Sequence, residues 1–247
     1  MTERVLIVGA TSAIAAEVAK AYARRGARLH LVARDSHKLE LLKASLLGAA
    51  VSSSLADFRN LDQIEALVRQ AAEQLGGFDV ALIAHGALGD QLETERSFAA
   101  AEAIFHTNLL SVVAFLVPLA NLFEAQGRGS LGVITSVAGD RGRPRNYTYG
   151  AAKGALNVYL QGLRSRLFKS GVKVVTLKLG PVDTPMTVAH AKTPLFARPA
   201  TAAAGIVAAL DAGAAEAYVP GFWAAVMPLV KNAPERLFQL FPFLSGR

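Results

Sequence analysis

The strongest constraint on the fold is a regular alternation of short apolar segments with helix-period segments along most of the chain. Runs rich in Val, Ile and Leu predict buried strands at 5–8, 28–33, 50–55, 80–84, 131–135 and 172–177. Helical patterns lie between them, at 13–25, 36–47, 60–75, 97–125 and 149–170. This rhythm predicts an α/β fold with a doubly wound parallel sheet and helices on both faces.

The last quarter of the chain is expected to complete the same Rossmann-type domain. Residues 181–199 break the pattern and predict a loop or lid, and a helix at 200–211 and a strand at 217–219 bring the sheet to about seven strands. A chain of 247 residues, 52% hydrophobic, can bury one large core, so we expect residues 1–220 to form a single domain. The apolar, basic tail at 221–247 either belongs to that domain or contacts a membrane or a partner subunit.

The net charge and the cysteine content limit the classes of ligand and partner that the chain can bind. The formal net charge of +7 suits a nucleic acid, an anionic membrane or a phosphate-bearing ligand. The basic residues are scattered and no RNA-binding motif or zinc-finger spacing is visible, so no nucleic-acid partner is predicted. The absence of cysteine removes disulfides and thiolate metal sites, and no metal site is predicted. The amino terminus lacks the pattern of a secretory signal, and a cytoplasmic location is expected.

The turn after the first strand is a candidate nucleotide-binding element. It reads Gly9-Ala10-Thr11-Ser12-Ala13-Ile14-Ala15 and opens the first helix, where backbone N–H groups can bind a dinucleotide pyrophosphate. Gly9 supplies the tight turn, and the candidate contacts beside it are Thr11, Ser12, Ala13 and Ile14. An ordinary strand-to-helix turn would look the same, because Ala13 and Ala15 stand where a full fingerprint has glycine.

The end of the second strand bears on the choice between NADP and NAD. An acid at this place holds the ribose hydroxyls of NAD, whereas an arginine pairs with the extra phosphate of NADP. Arg34 and Asp35 are adjacent here. We favour Arg34 on the phosphate, with Asp35 as the cap of the next helix, and hence NADP with NAD as the alternative.

Asp57 and Phe58 follow the third strand. The Asp57 carboxylate could accept a hydrogen bond from the adenine amino group, with Phe58 as an apolar neighbour. It could equally cap the helix that starts near Asn60.

The candidate reacting centre combines a phenol, an ammonium group and a hydroxyl. Tyr149 and Lys153 lie four residues apart at the start of a predicted helix and share one face, so the ammonium can lower the phenol pKa toward the working pH. Ser136 ends the preceding strand, at the edge where open α/β sheets place their sites. Its hydroxyl can bond a substrate oxygen. The set favours carbonyl reduction by hydride, with Tyr149 rather than Tyr147 as proton donor, because Tyr147 has Ala151 four residues on.

These features resemble the short-chain dehydrogenase/reductase family over nearly the whole chain. The matching positions are the Gly9 turn, Asp57, Asn108, Ser136, residues 149–153 and residues 180–184. The resemblance implies an NAD(P)-dependent oxidoreductase acting on a small-molecule ketone or secondary alcohol. Tyr149 would be the general acid, Lys153 would hold the nicotinamide ribose and Asn108 would support a proton-relay water. The nicotinamide end would be contacted by Gly180, Val182 and Thr184. The long helices resemble the family's dimer-forming pair, which implies a homodimer or homotetramer.

The chain departs from the family pattern at three places. Ala13 and Ala15 replace glycines of the turn, Leu179 replaces a proline, and the family's Asn-Ala-Gly reads Ala84-His85-Gly86. His85 fills the place of the asparagine beside the cofactor, with Gly86, or acts as a second acid or substrate contact.

Two further segments bear on the substrate. Arg141, Arg143 and Arg145 lie between Ser136 and Tyr149, where they could attract a phosphate-bearing substrate or simply form a solvated loop. This loop and the tail together are similar to the decaprenylphosphoryl 2-keto-ribose reductase branch of the family, which implies a lipid-linked keto sugar. Two alternatives stay open: a non-catalytic NADP-binding sensor or scaffold, and a peripheral membrane protein that binds through its tail.

Overall fold

A computed structural model describes residues 2–188 and 191–240. The strands are β1 (Arg4–Val8), β2 (Arg28–Ala33), β3 (Val51–Leu55), β4 (Val80–Ile83), β5 (Ser130–Ser136), β6 (Lys173–Leu179) and β7 (Glu216–Val219). They form one sheet in the order β3-β2-β1-β4-β5-β6-β7, and every neighbouring pair is parallel. The predicted doubly wound parallel sheet is confirmed. Its chain order reverses between β1 and β4, and ligands of such sheets bind at that reversal.

The helices connect the strands and cover both faces of the sheet. They are α1 (Ala13–Arg24), α2 (Ser36–Ser45), α3 (Ile64–Leu75), α4 (Gln91–Thr94), α5 (Phe98–Phe105), α6 (Ser111–Gln126), α7 (Tyr147–Leu167), α8 (Pro199–Ala212), α9 (Trp223–Asn232) and α10 (Glu235–Leu240). One core cluster joins the sheet to α1, α2 and α8, and a second joins it to α3, α6 and α7. Both faces of the central strands are therefore buried, which explains their continuous apolar sequences.

The segment predicted as one helix over 97–125 is divided in the structure. A π-helical turn, His106–Leu110, separates α5 from α6. Such turns insert an extra residue into the helical repeat and often accompany functional sites. The whole stretch Phe98–Gln126 is long and apolar enough to cross a membrane by length and composition, but 44% of its most apolar window is buried inside this domain.

The tail forms two helices that pack on the domain by one face. Trp223, Met227 and Val230 of α9 are buried with Val137 and Phe238 in a third apolar cluster. The opposite face of α9 leaves apolar side chains exposed, namely Phe222, Val226 and Leu229. A membrane or partner contact of the tail stays a prediction, and among the described residues this face of α9 and the exposed Leu237 and Leu240 of α10 are available for it. The last tail residues, 241–247, lie outside the described part of the chain.

Candidate active site

The turn after β1 has the backbone geometry of a close-approach site. Gly9 has φ +76°, and a Cβ atom there would lie 2.7 Å from the backbone nitrogen of His85 at the end of β4. Only glycine fits this position without strain. Ser12 caps α1, since its hydroxyl accepts a 3.2 Å hydrogen bond from the backbone N–H of Ala15. The turn therefore presents the start of α1 to the reversal point of the sheet, where Thr11, Ala13 and Ile14 also lie.

The end of β2 separates the roles of its two charged residues. Asp35 caps α2 by accepting a 3.0 Å hydrogen bond from the backbone N–H of Lys38, and this bond holds the pKa of the carboxyl below its ordinary value. Arg34 is exposed, and its charge contributes to lowering the pKa of His85. Asp35 therefore has the structural role that the sequence predicts, and the contact of Arg34 with a cofactor phosphate stays a prediction.

Asp57 has a local structural partner. Its carboxylate accepts hydrogen bonds from the Arg59 backbone at 3.0 Å and from the Arg59 guanidinium at 3.0–3.3 Å. These bonds, with a smaller effect of Arg34, hold the pKa of Asp57 below its ordinary value. Asn60, not Asp57, occupies the cap position of the following helical turn. The contact of Asp57 with adenine stays a prediction.

His85 is a buried, hydrogen-bonded side chain. Its Nε2 atom lies 2.8 Å from the Ser111 hydroxyl, which donates to the Thr107 carbonyl oxygen at 2.8 Å. The ring packs 4.4 Å from Phe58, measured between centroids. Burial lowers the pKa of His85 to about 3, with smaller contributions from Lys153 and Arg34. The imidazole is therefore neutral at pH 7, so the role as a second acid is not supported, and the structural role is.

Phe58 belongs to the core rather than to an open surface. It is 5% exposed and packs edge-on against Phe115 at 5.8 Å as well as against His85. Its predicted contribution to the cofactor site is therefore indirect, through the side of the cleft that it supports.

Close backbone packing brings Ser136 to Tyr149. A Cβ atom at Gly150 would lie 2.7 Å from the Ala138 carbonyl oxygen, and one at Gly154 would lie 2.9 Å from that of Gly139. Glycines at these positions let α7 lie directly on the turn that follows β5. The predicted hydroxyl and phenol therefore meet at the carboxyl edge of the sheet.

The Ser136 and Tyr149 side chains interact in this arrangement. The Ser136 hydroxyl accepts a 3.1 Å hydrogen bond from the Ala138 backbone N–H and lies 3.3 Å from the Leu179 carbonyl oxygen. Burial raises the pKa of Tyr149 to about 12, and the neighbouring Ser136 hydroxyl acts in the opposite direction. The expectation that Lys153 lowers this pKa toward neutrality is not met, because loss of solvent around the phenolate dominates. The phenol is thus protonated at pH 7 and can donate.

Lys153 is buried and held by the backbone. Its Nζ atom donates a 3.0 Å hydrogen bond to the Ile134 carbonyl oxygen and lies 5.8 Å from the centroid of the Tyr149 ring. Burial lowers the pKa of Lys153 to about 8. The predicted ammonium and phenol therefore lie on one side of α7, beside the end of β5.

Asn108 is placed by the π-helical turn. Its Nδ2 atom donates to the carbonyl oxygens of Ala87 and Ile104 at 2.8 and 2.9 Å, and its Oδ1 atom accepts from the Ala87 N–H at 3.1 Å. A Cβ atom at Gly86 would lie 2.8 Å from Asn108 Oδ1 and 3.5 Å from Lys153 Nζ. Gly86, Asn108 and Lys153 therefore form one contiguous group.

The segment after β6 lies across the same edge. The backbone N–H of Gly180 donates to the Val219 carbonyl oxygen at 2.9 Å, and buried Val182 forms an isolated bridge with Ala197. Thr184 caps the short turn Pro185–Thr187. These contacts fix the start of the predicted lid, and the contacts of Gly180, Val182 and Thr184 with nicotinamide stay predictions.

Two neighbours of the site were not assigned to it from the sequence. The Trp223 indole covers Gly180, where a Cβ atom would lie 2.7 Å from its Cδ1 atom. Ser111 holds His85. The single tryptophan of the chain and the serine three residues after Asn108 were visible signals, but only the tertiary structure shows what they contact.

The arginine loop does not act as one unit. The Arg141 guanidinium donates to the carbonyl oxygens of Val230 and Lys231 at 3.1 and 3.2 Å, pairs with Glu235 at 2.7 Å and lies 4.0 Å from the Phe238 ring centroid. Arg141 therefore fastens α9 and α10 to the domain, and the expectation that it attracts substrate or is solvated is wrong. Arg143 is partly buried and Arg145 is exposed. In residues 2–188 and 191–240, no cluster of three metal-ligating side chains is found.

Comparison with known proteins finds relatives that are named as oxidoreductases and that match most of the chain. The chain is 36% identical over 223 residues to an uncharacterised oxidoreductase of Mycobacterium tuberculosis, covering 89% of this chain and 88% of the relative. It is 33% identical to an uncharacterised oxidoreductase of Streptomyces coelicolor, covering 95% and 94%.

Solved structures show the same architecture. Levodione reductase superposes with a TM-score of 0.81 at 27% identity, covering 90% of this chain and 98% of that one. A variant of actinorhodin polyketide ketoreductase with NADPH gives 0.80 at 25% identity, covering 90% and 97%. The family model for short chain dehydrogenase matches residues 3–194. The sheet, the site and these matches together establish that the chain belongs to the short-chain dehydrogenase family of oxidoreductases.

Proposed function

We propose that this protein is an NADP(H)-dependent carbonyl reductase in which Tyr149 donates the proton. The observation that carries the proposal is the convergence of the Tyr149 phenol, the Ser136 hydroxyl and the Lys153 ammonium at one edge of the sheet. Asn108 and Gly86 complete the group. The catalysed reaction is reduction of a ketone to a secondary alcohol, or its reverse.

The residues suit a dinucleotide. The Gly9 turn opens the first helix in a close-packed form, because a Cβ atom there would clash with His85. Arg34 is exposed at the end of β2, where its guanidinium fork can pair with a 2′-phosphate. Asp35 is occupied as a helix cap, which weakens the case for NAD. Bound nicotinamide would supply the hydride. The holding residues would be Gly9, Thr11, Ser12, Ala13, Ile14, Arg34, Asp57, His85, Gly86, Lys153, Gly180, Val182 and Thr184.

Each side chain at the site has a separate role in the reaction. The Ser136 hydroxyl binds the carbonyl oxygen of the substrate and orients it toward the phenol. The Tyr149 O–H donates its proton to that oxygen as negative charge develops there. Lys153 places a positive charge beside the phenolate that remains. Asn108 fixes the backbone at Ala87 and supports the water that returns a proton to the site.

The narrower substrate proposal is a keto sugar or another ketone carried on a lipid. Exposed apolar side chains at the lid and on α9 support it: Val188 at the lid is 78% exposed and Leu229 on α9 is 76% exposed. These surfaces could contact an acyl or prenyl chain, or a membrane that contains it. Arg141 is not assigned to substrate binding, because its guanidinium is engaged by α9 and α10.

We also propose a homodimer or homotetramer in the cytoplasm. Exposed apolar side chains on the long helices support an oligomer, among them Leu110, Val117 and Val158.

Replacement of Tyr149 by Phe tests the function. The phenyl ring preserves packing but removes the proton, so turnover of any accepted ketone should fall by about 100- to 10,000-fold, whereas NADPH binding should be retained. Tyr159→Phe is the matched control, because Tyr159 lies farther along α7 and is 37% exposed. Unchanged turnover in Tyr149→Phe would overturn the assignment. A wild-type protein that binds NADPH but reduces no ketone in a broad panel would identify a non-catalytic sensor instead.

A further inference from the structure

Arg143 is a partly buried cation without a partner in the described structure. Its Nε atom is fully covered and makes no hydrogen bond. Among the contacts of residues 2–188 and 191–240, none engages its guanidinium, although its backbone carbonyl accepts from Asn146.

The surroundings of Arg143 make this charge unfavourable as it stands. Burial lowers the pKa of Arg143, and Arg145 lowers it further, while Asp140 acts in the opposite direction. The Asp140 carboxylate is already committed, because it accepts from Lys178 at 2.9 Å and from the Tyr218 hydroxyl at 2.7 Å. A buried charge that lacks an acid partner costs free energy that a bound anion would recover.

The loop ties Arg143 to the reacting centre. Asn146 donates its backbone N–H to the Arg143 carbonyl oxygen at 3.1 Å, and the Gly150 N–H donates to the Asn146 carbonyl oxygen at 2.8 Å. Gly150 directly follows Tyr149. The Arg143 backbone is therefore two hydrogen bonds away from the residue beside the proton donor, on the segment that joins it to Ser136.

Arg141 shows what a purely structural arginine looks like in this loop. Its side chain is 13% exposed, and its guanidinium is satisfied by backbone carbonyls, Glu235 and the Phe238 ring. Arg143, two residues later, is also withdrawn from solvent but has none of these contacts. Packing alone therefore accounts for Arg141 and does not account for Arg143.

We infer that Arg143, assisted by Arg145, binds an anionic group of the substrate, a phosphate ester or a carboxylate carried by the ketone. The inference rests on the proposed carbonyl reduction. Because Nε is covered while the residue keeps part of its surface exposed, the terminal N–H groups are the donors left for a ligand. A guanidinium fork matches both oxyanions in a two-point geometry. Placement in the loop before α7 lets the anion be held while the ketone lies at Ser136.

Paired substrates test the specificity. Dihydroxyacetone phosphate is compared with dihydroxyacetone, and acetoacetate with its ethyl ester, with NADPH saturating. In Arg143→Gln the ratio of kcat/KM between the charged and uncharged member of the preferred pair should fall by about 10- to 100-fold, and Arg143→Lys should recover part of it. Arg69→Gln, an exposed arginine on α3, removes the same charge and should leave the ratio unchanged. Equal ratios in wild type and Arg143→Gln would overturn the inference, even where both enzymes reduce ketones.

A binding measurement separates this inference from the proposed function. Inorganic phosphate is titrated, with thermal unfolding as the readout, into Arg34→Gln and into the double variant Arg34→Gln/Arg143→Gln, so that the nucleotide phosphate site does not contribute. Phosphate should stabilise the single variant more than the double variant. Equal stabilisation of the single and double variants by phosphate would overturn the proposed anion site. A phosphate effect that needs Arg143 in a protein that reduces no ketone would support the site and refute the reductase.

Discussion

The Lys153 ammonium donates a 3.0 Å hydrogen bond to the Ile134 carbonyl oxygen while almost fully buried, at 2% exposure. Burial lowers its pKa from 10.5 to about 8. Between these values the unfolded chain binds more protons than the folded protein, so the free energy of unfolding rises with pH through this window. Below pH 8 both states are protonated and the full cost of the buried charge is present.

Replacement of Lys153 by Met should therefore remove the part of the rise in the free energy of unfolding with pH that the buried ammonium causes. The wild-type free energy of unfolding should increase by about 3 kcal/mol relative to Lys153→Met between pH 8 and 10.5. Urea unfolding of both proteins across this range measures the difference, in which other titrating groups cancel. Lys169→Met, which removes an exposed lysine, should follow the wild type. Parallel curves for wild type and Lys153→Met would show that the ammonium is not desolvated.

Arg34 should determine the preference for NADPH. In Arg34→Gln the Kd for NADPH should rise by about 10- to 100-fold, because a charge-assisted phosphate contact is lost, whereas the Kd for NADH should change little. Fluorescence titration of both cofactors gives the ratio of the Kd for NADPH to the Kd for NADH. Asp35→Ala is the companion variant: loss of its cap on α2 should lower stability by about 1 kcal/mol and leave the ratio unchanged. If Asp35→Ala changed the preference between NADPH and NADH and Arg34→Gln did not, the roles assigned to the two residues would be reversed.

Arg141 should stabilise the carboxyl-terminal helices. Arg141→Ala removes the contacts with three carbonyl oxygens and Glu235, so the free energy of unfolding should fall by about 2 to 3 kcal/mol. Arg141→Lys keeps the charge but not the fork and should recover less than half of the loss. Denaturant unfolding, with hydrogen exchange at α9, measures both effects. Wild-type stability in Arg141→Ala would contradict the structural role.

Gly9 should be intolerant of a side chain for two reasons that can be separated. Gly9 and Gly48 share φ +76°, but a Cβ atom at Gly48 meets nothing within 4 Å, whereas at Gly9 it meets His85. Gly48→Ala should therefore cost about 1 to 2 kcal/mol from backbone strain alone. Gly9→Ala should cost more and also weaken NADPH binding. Equal losses in the two variants, with unchanged cofactor affinity, would argue against the close approach of β1 to β4.

The sequence was sufficient to predict the sheet and to predict that the candidate residues Ser136, Tyr149 and Lys153 lie close together. Strand and helix periods depend on local patterns, so β1 to β7 are found within two residues of their predicted bounds. Tyr149 and Lys153 are close because a helix places residues four apart on one face. Ser136 joins them because it ends a strand at the edge shared by all parallel strands.

Features that depend on contacts between distant segments could not be predicted. The π-helical turn at Asn108 has no pattern distinct from that of an ordinary helix. Proline disfavours the interior of a helix, yet Pro228 lies within α9, which packs on the domain. The three arginines of one loop looked equivalent, and only their partners separate them: Arg141 contacts residues about 90 positions away. Burial of Tyr149 likewise reverses the pKa direction that its neighbour Lys153 suggests.

The bonds that Arg141 makes join the loop before α7 to the end of the chain. Coupling between two sites is reciprocal: if a ligand in the cleft at Ser136 and Tyr149 holds this loop in place, the loop stabilises α9 and α10 by the same free energy. We therefore expect ligand binding in the cleft to slow the exchange of amide hydrogens in α9 and α10.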